Sequence, residues 1–129
     1  VLKGRTGERI GNETLTIVDD PSLCEFGFDP VDAEGVAVAR TEIIRRGVVN
    51  AFLHNRESLA AIGNGVAGHA RAMPGEPPLV RMSNTFIENG DSTKEEIFAE
   101  CKNGIFLAGS RGGQVDPGRG VFQFNAEYG

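Results

Sequence analysis

An α+β fold, mostly antiparallel sheet with five or six strands and two short helices, is the architecture the sequence predicts, on three observations. Runs rich in β-branched and aromatic residues recur along the chain, each bounded by Gly, Pro, Asn or Asp. Two short stretches instead carry helix-start and helix-stop residues at helical spacing. Glycine, at 18 of 129 residues, stands well above the ~7% of average usage and favours turns and close-packed loops over long helices.

The elements follow in order. Thr14 to Val18 is a β-branched strand that ends at Asp19-Asp20-Pro21, where proline removes a donor and the aspartates favour a turn. Ser22 to Glu34 reads as a loop anchored by Phe26 and Phe28 and closed by Gly35. Arg40 to Ile44 and Val48 to Leu53 flank Arg45-Arg46-Gly47 as a β-hairpin, with Gly47 taking the positive φ of the turn. Arg56 to Ile62 is a short helix with Gly63 at the position of its C-terminal cap. Glycine, alanine and proline dominate residues 63–80, which are therefore assigned to a surface loop. Leu79 to Glu88 is the next strand, and Asn89-Gly90-Asp91 turns the chain into a helix capped by Ser92 with Glu95 three residues on. Ile97, Phe98 and Cys101 form the apolar stripe of that helix, Cys101 packing as a small hydrophobe, and Gly104 ends it. Ile105 to Leu107 begins another strand. A glycine-rich loop from Ser110 and a turn at Asp116-Pro117-Gly118 lead into a final, half-buried strand from Val121 to Tyr128.

Alternation in that last strand runs to the end of the chain, and the chain opens on Val1. Residues 1–129 are thus expected to form a single partial domain of a longer protein, with the last strand paired to residues outside it. The net charge of −5 disfavours a nucleic-acid surface, since phosphate recognition needs a basic patch. Arg40, Arg45 and Arg46 are the nearest candidate, and Glu42 lies among them as on an ordinary solvated strand face. No apolar run approaches the ~20 residues of a membrane span. Two cysteines make no disulfide scaffold, so a soluble protein in a reducing, cytoplasmic setting is expected.

Cys24, His54, His69 and Cys101 are the potential metal ligands, but none forms the close pairings of a zinc motif. His54, at a strand end, reads as a hydrogen-bonded or half-exposed histidine and His69 as a loop histidine. Asp19 and Asp20 are adjacent on a strand and point to opposite faces, which favours a turn over paired acid-base work.

Six segments carry a family resemblance. They are Gly7 to Asp20, Asp32-Ala-Glu-Gly-Val36, Arg40 to Val48 with Phe52-Leu-His54, Arg81-Met-Ser-Asn-Thr85, Gly90-Asp91 before a helix, and Gly112-Gly-Gln-Val-Asp-Pro117. In this order they resemble the TldD/PmbA family, known as modulators of DNA gyrase and as peptide-maturing metallopeptidases. Arg81 to Thr85 and Gly112 to Val115 look more like the TldD branch than the PmbA branch.

The resemblance implies a parent that is a cytoplasmic zinc metallopeptidase acting on unfolded or loosely structured peptides, as a homo- or heterodimer with a TldD/PmbA-type subunit. It also implies that the zinc ligands, a His-Glu-x-x-x-His helix and a later cysteine, lie outside this chain, which has no such helix and by itself is inactive. The chain then contributes no catalytic residue and no metal ligand. Its expected part is the core and the substrate cleft, with Gly112, Gly113 and Gln114 lining the cleft and Arg81 and Asn84 orienting the loop or meeting the peptide backbone. The plainer reading gives the glycines a tight turn, Arg81 a surface carboxylate and Asn84 a loop to cap. A metal-free PmbA-like structural subunit is the alternative for the parent. A DNA- or gyrase-binding module is disfavoured by the acidic charge.

Overall fold

The computed structural model describes residues 2–129, which divide into two compact units, 2–89 and 90–129. Both helices expected from the sequence are present, with ten short and mostly antiparallel strands in place of five or six.

In the 2–89 unit, β1 (Ile17–Asp19) lies between β2 (Thr41–Arg45) and β8 (Thr85–Ile87), and β3 (Val48–Val49) extends the sheet in the order β3-β2-β1-β8. All three pairings are antiparallel, and Ile17 stands opposite both Ile44 and Ile87. Val18, Ile44, Val49 and Ala70 are buried there. The β2–β3 turn has φ of 49° at Arg46 and 76° at Gly47, the doubly left-handed pattern whose twist suits a two-residue hairpin. Gly47 also donates to the Leu15 carbonyl at 2.7 Å and accepts from Ile10 N–H at 2.8 Å.

Residues 63–80 are not one loop. After β4 (Phe52–His54), helix α1 (Arg56–Ile62) crosses to β5 (Gly65–Ala67), which pairs in parallel with β4. Strands β6 (Ala70–Arg71) and β7 (Leu79–Val80) then pair antiparallel. Small residues hid these strands by removing alternation, and they also permit them: a Cβ on Gly65 would stand 2.7 Å from the Phe52 carbonyl oxygen. Asn55 caps α1 by accepting from Ser58 N–H at 2.8 Å, and Gly63 ends it with φ of 70°. The strand expected over Leu79 to Glu88 is broken at 81–84, where side-chain hydrogen bonds replace a ladder.

In the 90–129 unit, α2 (Lys94–Glu100) is capped by Thr93 and Glu96, one residue later than expected. Ser92/Glu95 and Thr93/Glu96 both fit the capping-box spacing, so the pattern is degenerate. The helix stops at Cys101, before Gly104. Cys101, Ile97 and Phe98 are exposed, contrary to the packed stripe expected, although Phe98 meets Phe106 edge-on at 5.2 Å. Ile105 to Leu107 forms no strand; an isolated bridge joins Ala108 to Tyr128.

The final strand has a partner within the chain along one edge. Strand β10 (Val121–Phe124) folds back on β9 (Gly113–Asp116), pairing Val121 with Asp116 and Phe124 with Gly113. The glycine-rich stretch is therefore half of a hairpin. Asp116 steadies its turn by accepting from Arg119 N–H at 3.1 Å. All eight strand residues are exposed, where half-burial was expected.

Candidate functional site

Two groups of residues have the convergence a site needs, one in each unit. In the 2–89 unit the anchor is Asp19, fully buried at the end of β1. Its Oδ1 accepts from Ser83 N–H at 2.9 Å and from the Thr85 hydroxyl at 2.6 Å. Its Oδ2 faces Nε2 of the fully buried His69 at 3.4 Å, out of line for a hydrogen bond. Burial pushes the Asp19 carboxyl up, but His69, Thr85 and Ser83 together outweigh it and hold the group below the usual carboxylate range. The turn role expected of both aspartates belongs to Asp20 alone, which accepts from Ser22 N–H and the Ser22 hydroxyl. Asp19 stays in the strand as a buried anchor.

Segment 81–85 is gripped around this anchor. Arg81 N–H donates to the His69 carbonyl at 2.9 Å, and Arg71 donates to the Ser83 hydroxyl at 2.6 Å. Asn84 accepts from Gly27 N–H at 2.8 Å and donates to the Asp20 and Leu23 carbonyls, both at 3.1 Å. A Cβ on Gly27 would lie 2.7 Å from Asn84 Oδ1 and closer still to the Ser83 main chain, so only glycine lets the two loops touch. Arg81 and Met82 remain exposed, and among the described residues the Arg81 guanidinium has no ion-pair partner.

A second buried carboxylate, Asp32, accepts from the backbone N–H groups of Val36, Glu34 and Ala70 at 2.9 to 3.1 Å. Burial raises its carboxyl, and the three N–H groups, Val36 first, more than reverse this and leave it low. It ties the 32–36 turn to β6.

In the 90–129 unit, Arg111, Gly112, Gly113, Gln114, Gln123 and Asn125 line a polar cleft of about 290 Å³. Gln114 and Gln123 stand directly opposite each other across the hairpin. Val115, Phe122 and Phe124 fall on its other face by strand alternation. Gly113 leaves room for the pairing, since a Cβ there would meet the Gln123 carbonyl oxygen at 2.6 Å. The N–H of Arg111 and the carbonyl of Gly112 are tied to Asn125, which fixes the cleft's rim. Side-chain carboxamides offer a donor and an acceptor side by side, the same pair that a peptide group presents.

The five expected site residues thus fall into two sets. Gly112, Gly113 and Gln114 share one cleft in the 90–129 unit; Arg81 and Asn84 sit on the gripped segment of the 2–89 unit, Asn84 turned to the loop that follows β1. Sequence reasoning missed Asp19, His69, Gln123 and Asn125. The Gln114/Gln123 pairing was accessible from counting outward from the Asp116–Val121 turn, whereas the Asp19–His69 meeting joins positions fifty residues apart and left no local signal.

Among the described residues no three His, Cys, Asp or Glu side chains gather as a metal site. Cys24 and Cys101 are exposed, and His54 is buried with Nδ1 3.0 Å from the Ser58 hydroxyl. These residues do not fit a zinc ion. Among the described residues no helix is long and apolar enough to cross a membrane.

Comparison with known proteins covers the chain as a whole. The profile of the PmbA/TldA metallopeptidase C-terminal domain matches residues 1–129. A metalloprotease of Archaeoglobus fulgidus is 49% identical over 129 residues, covering 100% of this chain and 30% of the relative. A zinc metalloprotease TldD homolog of Saccharolobus solfataricus is 34% identical, covering 95% of this chain and 28% of the relative. The crystal structure of TldE from Thermococcus kodakarensis superposes with a TM-score of 0.80 at 26% identity, covering 98% of this chain and 29% of that one. The chain spans less than a third of the length of these relatives.

Proposed function

The chain belongs to the PmbA/TldA metallopeptidase C-terminal domain family, and from that premise we propose that it is the part of a cytoplasmic metallopeptidase that helps shape the cleft for unfolded or loosely structured peptides. The polar cleft at Gly112, Gly113 and Gln114 carries this reading. Its carboxamides match the donor-acceptor pattern of an extended backbone, and main-chain recognition is tolerant of side-chain sequence. On this reading the parent binds zinc, as the name of the Saccharolobus relative suggests, through residues outside this chain. The parent works as a dimer with a TldD/PmbA-type subunit.

Gln114→Ala in the full-length parent tests the proposal. Loss of one carboxamide that meets the peptide should raise KM several-fold, about 1 kcal/mol of binding, with thermal stability kept. Unchanged cleavage by a folded variant would show that Gln114 does not bind the peptide. Metal analysis of the purified parent separates the reading from a metal-free PmbA-like subunit, for which no zinc would copurify.

A further inference from the structure

Buried ionisable groups are costly, so a carboxylate and an imidazole that are both sealed from solvent need a reason beyond filling space. Asp19 and His69 are each fully buried, and they meet at 3.4 Å. What they hold is one short segment, gripped at every second residue. Arg81 is tied through its N–H to the His69 carbonyl, Ser83 through its N–H to Asp19 Oδ1, and Thr85 through its hydroxyl to the same oxygen. The residue between the first two ties, Met82, is 69% exposed, and Arg81 is exposed as well.

We propose that Asp19 and His69 are a buried positioning pair that sets the main chain of residues 81–85, so that Arg81 and Met82 are presented to the peptide substrate. This rests on the reading of the parent as a peptidase. The pair does not touch substrate itself. Asp19 supplies the acceptor that replaces a strand ladder at Ser83 and ties in Thr85 at the start of β8, the main chain of His69 supplies the carbonyl for Arg81, and the His69 ring lies against the Asp19 carboxylate at 3.4 Å. Arg71 completes the grip by donating to the Ser83 hydroxyl from the side. A role in packing alone would be met by apolar side chains of similar volume, which often cost nothing in stability.

The test uses the full-length parent carrying Asp19→Asn, His69→Gln or, as the mildest change, Thr85→Val, which keeps a strand-favouring side chain. Two readouts are taken: amide hydrogen exchange at Arg81 and Ser83, and kcat and KM for fluorescein-labelled, unfolded casein. Positioning predicts exchange at Ser83 faster by roughly severalfold in Asp19→Asn, whose carboxamide oxygen still accepts but without the charge. It also predicts KM raised by roughly tenfold, with kcat within about twofold, in the same variant. Thr85→Val should show a smaller shift of the same kind. Unchanged exchange at Ser83 in Asp19→Asn and Thr85→Val overturns the pair. Faster exchange with KM unchanged overturns the presentation of Arg81 and Met82 and leaves the pair structural. If the wild-type parent cleaves no casein, the peptidase reading fails for that substrate, and exchange still decides whether the pair sets the segment.

Discussion

Asn84 uses both ends of its carboxamide on the loop that follows β1, accepting from Gly27 and donating to Asp20 and Leu23. Removing it leaves the Gly27 N–H without its partner in a tight contact where no Cβ could fill the gap. Asn84→Ala should therefore lower stability by about 1–3 kcal/mol, read as a shift in the urea midpoint at unchanged slope. Gly47 is required for a different reason. Its φ of 76° is left-handed, and a Cβ would collide with the carbonyl oxygens of Gly11 and Asn12. Strain and collision act together at that position. Gly47→Ala should cost about 2 kcal/mol or more, whereas Gly35→Ala, with a similar φ of 73° but open space around it, should cost only about 1 kcal/mol. Equal losses in the two variants would show that the collision is relieved by small backbone shifts.

Among the elements, those with strong local signals were legible from sequence and those made by distant contacts were not. The β2–β3 hairpin, α1 with its Gly63 stop and the existence of α2 each rest on turn or cap chemistry within a few residues. Strands β5 and β6 have three and two residues, mostly small, and gain their pairing only when β4 and β7 come near. The same distinction runs through the candidate sites. Gly112 to Gln114 stood out by composition, while Asp19 and His69 looked like turn and loop residues because nothing local announces a buried pair. The cap of α1 offers an element-level test: Asn55→Ala removes the side chain that accepts from Ser58 N–H and should cost about 1 kcal/mol, with the loss of helical ellipticity confined to a small fraction. A two-stranded hairpin such as β9–β10 is marginal alone, so its apolar face at Val115, Phe122 and Phe124 calls for cover in the intact parent.

For the whole molecule, the two buried carboxylates link stability to acid. Asp19 and Asp32 both have folded pKa values below the ordinary carboxylate value. Such groups contribute stability that is fully present above the unfolded pKa of about 4 and is lost as pH falls through the folded value. Thermal midpoints should accordingly hold from pH 7 to about 5 and fall steeply below about 4, with Asp19→Asn flattening part of that slope. A midpoint independent of pH between 5 and 3 would mean that neither carboxylate is held ionised by the fold. The acidic balance of the chain, −5, acts in the same direction for partners, favouring a neutral or cationic ligand over nucleic acid.

The proposed function requires the cleft at Gly112, Gly113 and Gln114 to meet peptide in the full-length parent. Replacing Gln114 with the photoreactive residue p-benzoylphenylalanine in the full-length parent, and irradiating it with unfolded casein, measures this contact directly. The prediction is a casein adduct at position 114 that excess unlabelled peptide competes away, and none when the same residue is placed at the exposed Arg45 of the β2–β3 hairpin. Adducts of equal yield at both positions, or none at 114 in a parent that still cleaves casein, would contradict it.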